Sequence, residues 1–173
     1  MSKLIIYFYG WGGGEHSKGL IALRERFKKN EVYAPFYDQI DPKSNYSILD
    51  ALYIKSMDYE EVIVIGNSLG GYWANCFVEQ YPAYSVILIN PSLYPAETIS
   101  KYGIQEEFLK NYRPSKFQNK NKWLFLSSHD EVIDPKIAKN LLSDCNATSW
   151  LNEVHAIQNY DFMIEKLVEL GFE

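Results

Sequence analysis

The chain predicts an α/β fold: a mostly parallel sheet of about six strands with helices on both faces. Three observations carry this. Short, nearly continuous apolar runs recur along the chain, as strands buried on both faces require. Each run but one is followed by a stretch with helical apolar spacing. Glycine-rich turns stand directly after the first and third of these runs.

The elements follow in order. KLIIYFY (3–9) is an apolar strand ending at Gly10, and after a glycine-rich loop Leu20, Ile21, Leu23 and Phe27 mark a helix from Ser17. EVYAPF (31–36) predicts a second strand. Ile48, Leu49, Leu52 and Tyr53 then share one side of a helix over 44–56. EVIVIG (61–66) precedes a helix over 69–81, and YSVILIN (84–90) is a fourth strand. KWLFLSS (122–128) leads to a helix over 135–142, and ATSWL (147–151) to a final helix over 159–170. The stretch 91–121 breaks the rhythm with prolines at 91, 95 and 114 and aromatics at 94, 102, 108, 112 and 117. It reads as a small insertion carrying one short helix over a pocket.

At 173 residues the chain supports one good core, so 1–173 is expected to form a single domain with 91–121 as its excursion. A formal net charge of -5, with no basic run, lacks the electrostatic footprint of a nucleic-acid binder. Cys76 and Cys145 form no disulfide framework and no metal-ligand spacing, and are expected to be reduced thiols. The opening apolar run is too short for a membrane span, and no secretory signal pattern precedes it, so a cytoplasmic protein is expected.

The chemistry concentrates in EVIVIGNSLGGYW, where Ser68 lies between a strand and a helix. A serine is lifted clear on such a sharp turn only if the residues two before and two after it lack bulk, and here they are Gly66 and Gly70. The turn leaves the Leu69 amide free at a helix start, where it favours developing negative charge. The competing reading is a plain glycine-rich turn with Ser68 as a helix cap.

A serine nucleophile needs a histidine to take its proton and a carboxylate to orient that histidine. Of His16, His129 and His155, the chain order serine, acid, histidine used by α/β hydrolases selects His155. In SSHDEVIDPK, Asp134 stands before Pro135 as a helix N-cap, which leaves Asp130 free to turn toward His155. Glu131 and Asp134 stay open as alternatives.

The first loop, YGWGGGEHSKG, invites a dinucleotide-binding reading, but its third glycine position holds Glu15, an acid facing a pyrophosphate. The loop fits better as the second side of an oxyanion hole, with the Trp11 backbone N–H as donor beside Gly10.

In order and over nearly the whole chain, LIIYFYGW, VIGNSLGGYWA, INPSLYP, SSHDEVID and VHAI resemble the small bacterial YqiA-type esterases of the α/β-hydrolase superfamily. The resemblance implies a three-layer α/β-hydrolase-like sandwich with a minimal lid. It also implies hydrolysis of a small-molecule carboxylic ester or acyl thioester by Ser68, Asp130 and His155, with no metal or organic cofactor. The sequence departs from many hydrolases at Tyr9-Gly10, where they have His-Gly. The insertion, through Leu93 and Tyr94 with Tyr102, Phe108 and Tyr112, is expected to line an acyl pocket. Two other readings stand beside this: a specialised acyl-carrier or acyl-CoA ester hydrolase like the methyl esterases of biotin synthesis, and a non-catalytic binding protein on the same fold.

Overall fold

The computed structural model describes residues 2–173. Six strands, β1 (Lys3–Phe8), β2 (Glu31–Tyr33), β3 (Glu61–Asn67), β4 (Ser85–Ile89), β5 (Lys122–His129) and β6 (Ala147–Val154), form one sheet in the order β2-β1-β3-β4-β5-β6. Every pairing is parallel, so the sheet is wholly rather than mostly parallel. Around it lie α1 (Lys18–Arg26), α2 (Asn45–Ser56), α3 (Leu69–Gln80), α4 (Pro95–Ser100), α5 (Glu106–Leu109), α6 (Pro135–Leu141) and α7 (Asp161–Glu169).

The central strands are buried on both faces because helices cover both. Leu4 to Phe8, Ile63 to Ile65 and Val86 to Ile89 all lie in the core, which explains why they read as unbroken apolar runs. On one face α1 packs against α7. On the other, Tyr53 of α2 stacks on Tyr81 at the end of α3, with centroids 4.0 Å apart.

From β1 the chain steps to the β2 edge, then returns past β1 to place β3 on its other side. The loops after β1 and β3 therefore diverge around a crevice at the carboxyl ends of the strands, where open α/β sheets bind ligands. The first loop and Ser68 are those two loops.

Three elements differ from expectation. Strand β2 ends at Tyr33, not residue 36: it pairs only with β1, and Pro35 has no N–H to extend the ladder. Strand β6 continues through Val154, three residues further than its apolar run, with alternating exposure suited to the sheet edge. The insertion holds two short helices, α4 and α5, where one was expected. Among the described residues no helix is long and apolar enough to cross a membrane.

Candidate active site

Ser68 has φ 52° and ψ -119°, a backbone state that side-chain-bearing residues seldom adopt and that costs about 1–3 kcal/mol. The surroundings enforce it. The Ser68 N–H donates to the Ile89 carbonyl at 2.9 Å, and its own carbonyl accepts from Gly71 at 2.8 Å and Ser92 at 2.9 Å. A Cβ on Gly66 would meet the Gly70 carbonyl at 2.5 Å, and one on Gly70 would run into the Phe8 and Tyr9 backbone. Both glycines are there because the turn presses α3 onto the ends of β1 and β3.

The Ser68 side chain makes no cap bond to α3. Its Oγ–H instead donates to His155 Nε2 at 2.8 Å, and His155 Nδ1–H donates to Asp130 Oδ2 at 2.8 Å. The Asp130 side chain is 1% exposed, and its Oδ1 accepts the amides of Val132 at 2.9 Å and Ile133 at 2.8 Å. Burial opposes ionisation of Asp130, but the bonds from His155, Ile133 and Val132 outweigh it and hold the carboxyl below its ordinary value. Asp134 caps α6 through the Lys136 N–H at 2.9 Å. Glu131 accepts the backbone N–H of His155 at 3.1 Å, so it steadies the segment that carries the ring.

Asn90, which the sequence did not single out, ties these pieces together. It is buried, with φ 42°, at the exit of β4. Its Oδ1 accepts the Ser127 amide at 2.7 Å, and its Nδ2 donates to Ser127 Oγ at 2.8 Å and to the His155 carbonyl at 3.3 Å. The asparagine of INPSLYP thus links the ends of β4 and β5 to the loop after β6.

The first loop approaches Ser68 closely: a Cβ on Gly10 would lie 3.1 Å from Ser68 Cβ. Residues 10–13 make a tight turn in which the Gly13 N–H donates to the Gly10 carbonyl at 3.0 Å, with Gly12 at φ 70°. Among the described residues, the amides of Trp11 and Leu69 donate to no backbone or side-chain acceptor. Both residues line a cavity of about 490 Å³ that opens over Ser68 and His155.

The cavity corrects the expected pocket. Leu93 is 4% exposed and packed in the core, while Tyr94 packs edge-on against Phe117; neither lines the cavity. Phe108 and Tyr112 also lie outside it; of the expected residues Tyr102 lines it, and the insertion adds Ser92, Thr98 and Ile99. Helix α4 starts at Pro95 and turns Thr98 and Ile99, rather than Leu93 and Tyr94, toward the site. His16 borders the cavity, and His129 lies outside it, bonded to Asn152.

The chain matches the model of the Uncharacterised protein family (UPF0227) over residues 47–171. It is 29% identical over 163 residues to a UPF0227 protein of Shewanella woodyi, a match covering 87% of this chain and 88% of that one. Among solved structures it is similar to Est1E from Butyrivibrio proteoclasticus, with a TM-score of 0.71 and 11% identity over 98% of this chain and 86% of that one. It is also similar to MGS-MChE2, an alpha/beta hydrolase enzyme from a metagenome of sediments of the Mar Chica lagoon, Morocco. There the TM-score is 0.69 and the identity 17%, over 99% of this chain and 93% of that one. These likenesses establish an α/β-hydrolase fold, as the sequence resemblance implied.

Proposed function

The chain belongs to the UPF0227 family and has the α/β-hydrolase fold, and from that premise we propose that it is a serine hydrolase of small carboxylic esters or acyl thioesters. The observation that carries this reading is the hydrogen-bonded line from Ser68 Oγ through His155 to Asp130, with both links at 2.8 Å. A helix cap or a binding protein has no use for such a line.

In this reading His155 Nε2 takes the Ser68 proton as Oγ attacks the carbonyl carbon, and Asp130 stabilises the imidazolium that forms. The amides of Leu69 and Trp11, which have no other acceptor, receive the oxyanion. His155 then gives its proton to the departing alcohol or thiol, leaving an acyl group on Ser68. A water molecule, deprotonated by the same nitrogen, releases the acid. The strained backbone of Ser68 serves this by fixing Oγ between the base and the two amides.

Labelling with a fluorophosphonate tests the proposal. Wild type is expected to label and Ser68→Ala and His155→Ala are not. An unlabelled wild type, or a Ser68→Ala variant labelled equally well, removes the serine-hydrolase reading. A matched panel of short p-nitrophenyl esters and acyl thioesters on the wild type then separates a general esterase from an enzyme specialised for acyl-carrier or acyl-CoA esters.

A further inference from the structure

An oxyanion hole works only if its donors are already aimed before the reaction starts. Leu69 meets this condition through α3, but Trp11 sits in a glycine-rich loop with no helix or strand of its own. Something else must hold that turn.

Two elements far apart in sequence do so. Gln39, in the stretch after β2, reaches the turn with both ends of its amide: Oε1 accepts the Gly12 N–H at 2.6 Å, and Nε2 donates to the Gly13 carbonyl at 3.3 Å. The residues around Gln39 are themselves braced. Asp38 Oδ1 accepts the amides of Ile40 at 2.8 Å and Asp41 at 3.0 Å, and Asp38 exchanges two bonds with Asn45. From the opposite side, the Trp11 ring lies flat on Tyr102 of the insertion, with centroids 5.3 Å apart and planes 9° from parallel. The Trp11 side chain is thus fixed by Tyr102 and the peptide groups following it by Gln39.

We propose that Gln39 is a positioning residue that aims the Trp11 amide at the oxyanion, with the Tyr102 ring as its counterpart on the other side of the turn. The proposal rests on the serine-hydrolase reading and adds two residues that touch neither Ser68 nor His155. Gln39 is the cleaner of the two because it does not border the cavity, so its loss removes no contact with the substrate.

The test measures kcat, KM and pH profile with a short p-nitrophenyl ester, together with inhibition by a boronic acid that forms a tetrahedral adduct on serine. For Gln39→Ala the expected result is a fall in kcat of roughly ten- to a hundredfold, the scale of a misplacement of about 1 Å. KM should change by less than about twofold, and boronate affinity should weaken by the factor lost from kcat/KM. The pH profile should keep its midpoint, because the Ser68–His155–Asp130 line is untouched. Tyr102→Ala should also lower kcat, and Tyr102→Phe, which keeps the ring, should restore it. A Gln39→Ala variant with wild-type kcat and boronate affinity overturns the proposal while leaving the hydrolase reading intact. So does one whose only change is a raised KM or a lowered melting temperature. A wild type that neither hydrolyses the ester nor reacts with a fluorophosphonate removes both.

Discussion

Replacing Asp130 by asparagine is the most informative single change, because the surroundings dictate which way the new amide must face. Oδ1 already accepts two backbone amides, from Val132 and Ile133. The asparagine oxygen must take that place, since an NH₂ there would confront two donors. The NH₂ is then aimed at His155 Nδ1, where Oδ2 had accepted a proton. Nδ1 has to become the acceptor, which moves the ring proton to Nε2 and leaves no lone pair for the Ser68 hydroxyl. The shape survives and the tautomer is wrong. Such a reversal costs on the order of ten-thousandfold in kcat, about 5.4 kcal/mol of barrier at 1.36 kcal/mol per decade. The assay is p-nitrophenyl ester turnover at pH 7 beside the rate of fluorophosphonate labelling, with a circular dichroism melt to verify folding. A folded Asp130→Asn variant within tenfold of wild type would refute the reasoning and transfer the orienting role to another carboxylate, Glu131 being the nearest in the chain.

Two stability predictions concern Asp130 and the glycines of the site. Asp130 is held below its ordinary carboxyl value, so its contribution to stability is fully present above about pH 4, where the unfolded chain's carboxyl is ionised. It is lost as pH falls through the lower folded-state value. The melting-temperature gap between wild type and Asp130→Asn should therefore narrow from pH 6 to pH 3, and a gap that widens contradicts the assignment. Gly70→Ala places a Cβ 2.6 Å from the Tyr9 carbonyl oxygen and closer still to Phe8 backbone, none of which can yield as a side chain would. Urea titration should show a loss of about 1–3 kcal/mol or more. Gly12→Ala, with nothing within 4 Å but φ at 70°, should lose only the left-handed penalty of about 1–2 kcal/mol. Equal midpoints for the two variants would show that crowding does not set the requirement at Gly70.

What could be read from the chain was local, and what could not depended on distant segments meeting. Gly66, Ser68 and Gly70 disclose their turn because strand, serine and helix start are contiguous. Asp134 discloses its capping role through the proline after it, which favours Asp130 as the orienting acid while Glu131 and Asp134 stay open in the sequence. Strand ends were less legible: Pro35 cuts β2 short, while the polar tail of β6 pairs with β5 through a register irregularity between Ser127 and His129. Leu93 and Tyr94 were misplaced because the pocket-facing side of the insertion depends on where α4 begins. Gln39 carries no local signal at all. Its significance arises only when the stretch after β2 folds back 26 residues to the first loop.

The Asn90 linkage divides the molecule into a part that can vary and a part that cannot. Asn90 fastens the His155 carbonyl to the exits of β4 and β5, and the Ser92 N–H fastens the Ser68 carbonyl, so a longer or shorter insertion can be grafted after Ser92 without disturbing Ser68 or His155. The Trp11 turn has no such independence, since one of its two supports, Tyr102, belongs to the insertion. Under the proposed hydrolase reading, descendants or designed variants that exchange this segment should keep the Ser68–His155–Asp130 line while changing how fast it turns over, and new substrate ranges would arise together with altered rates.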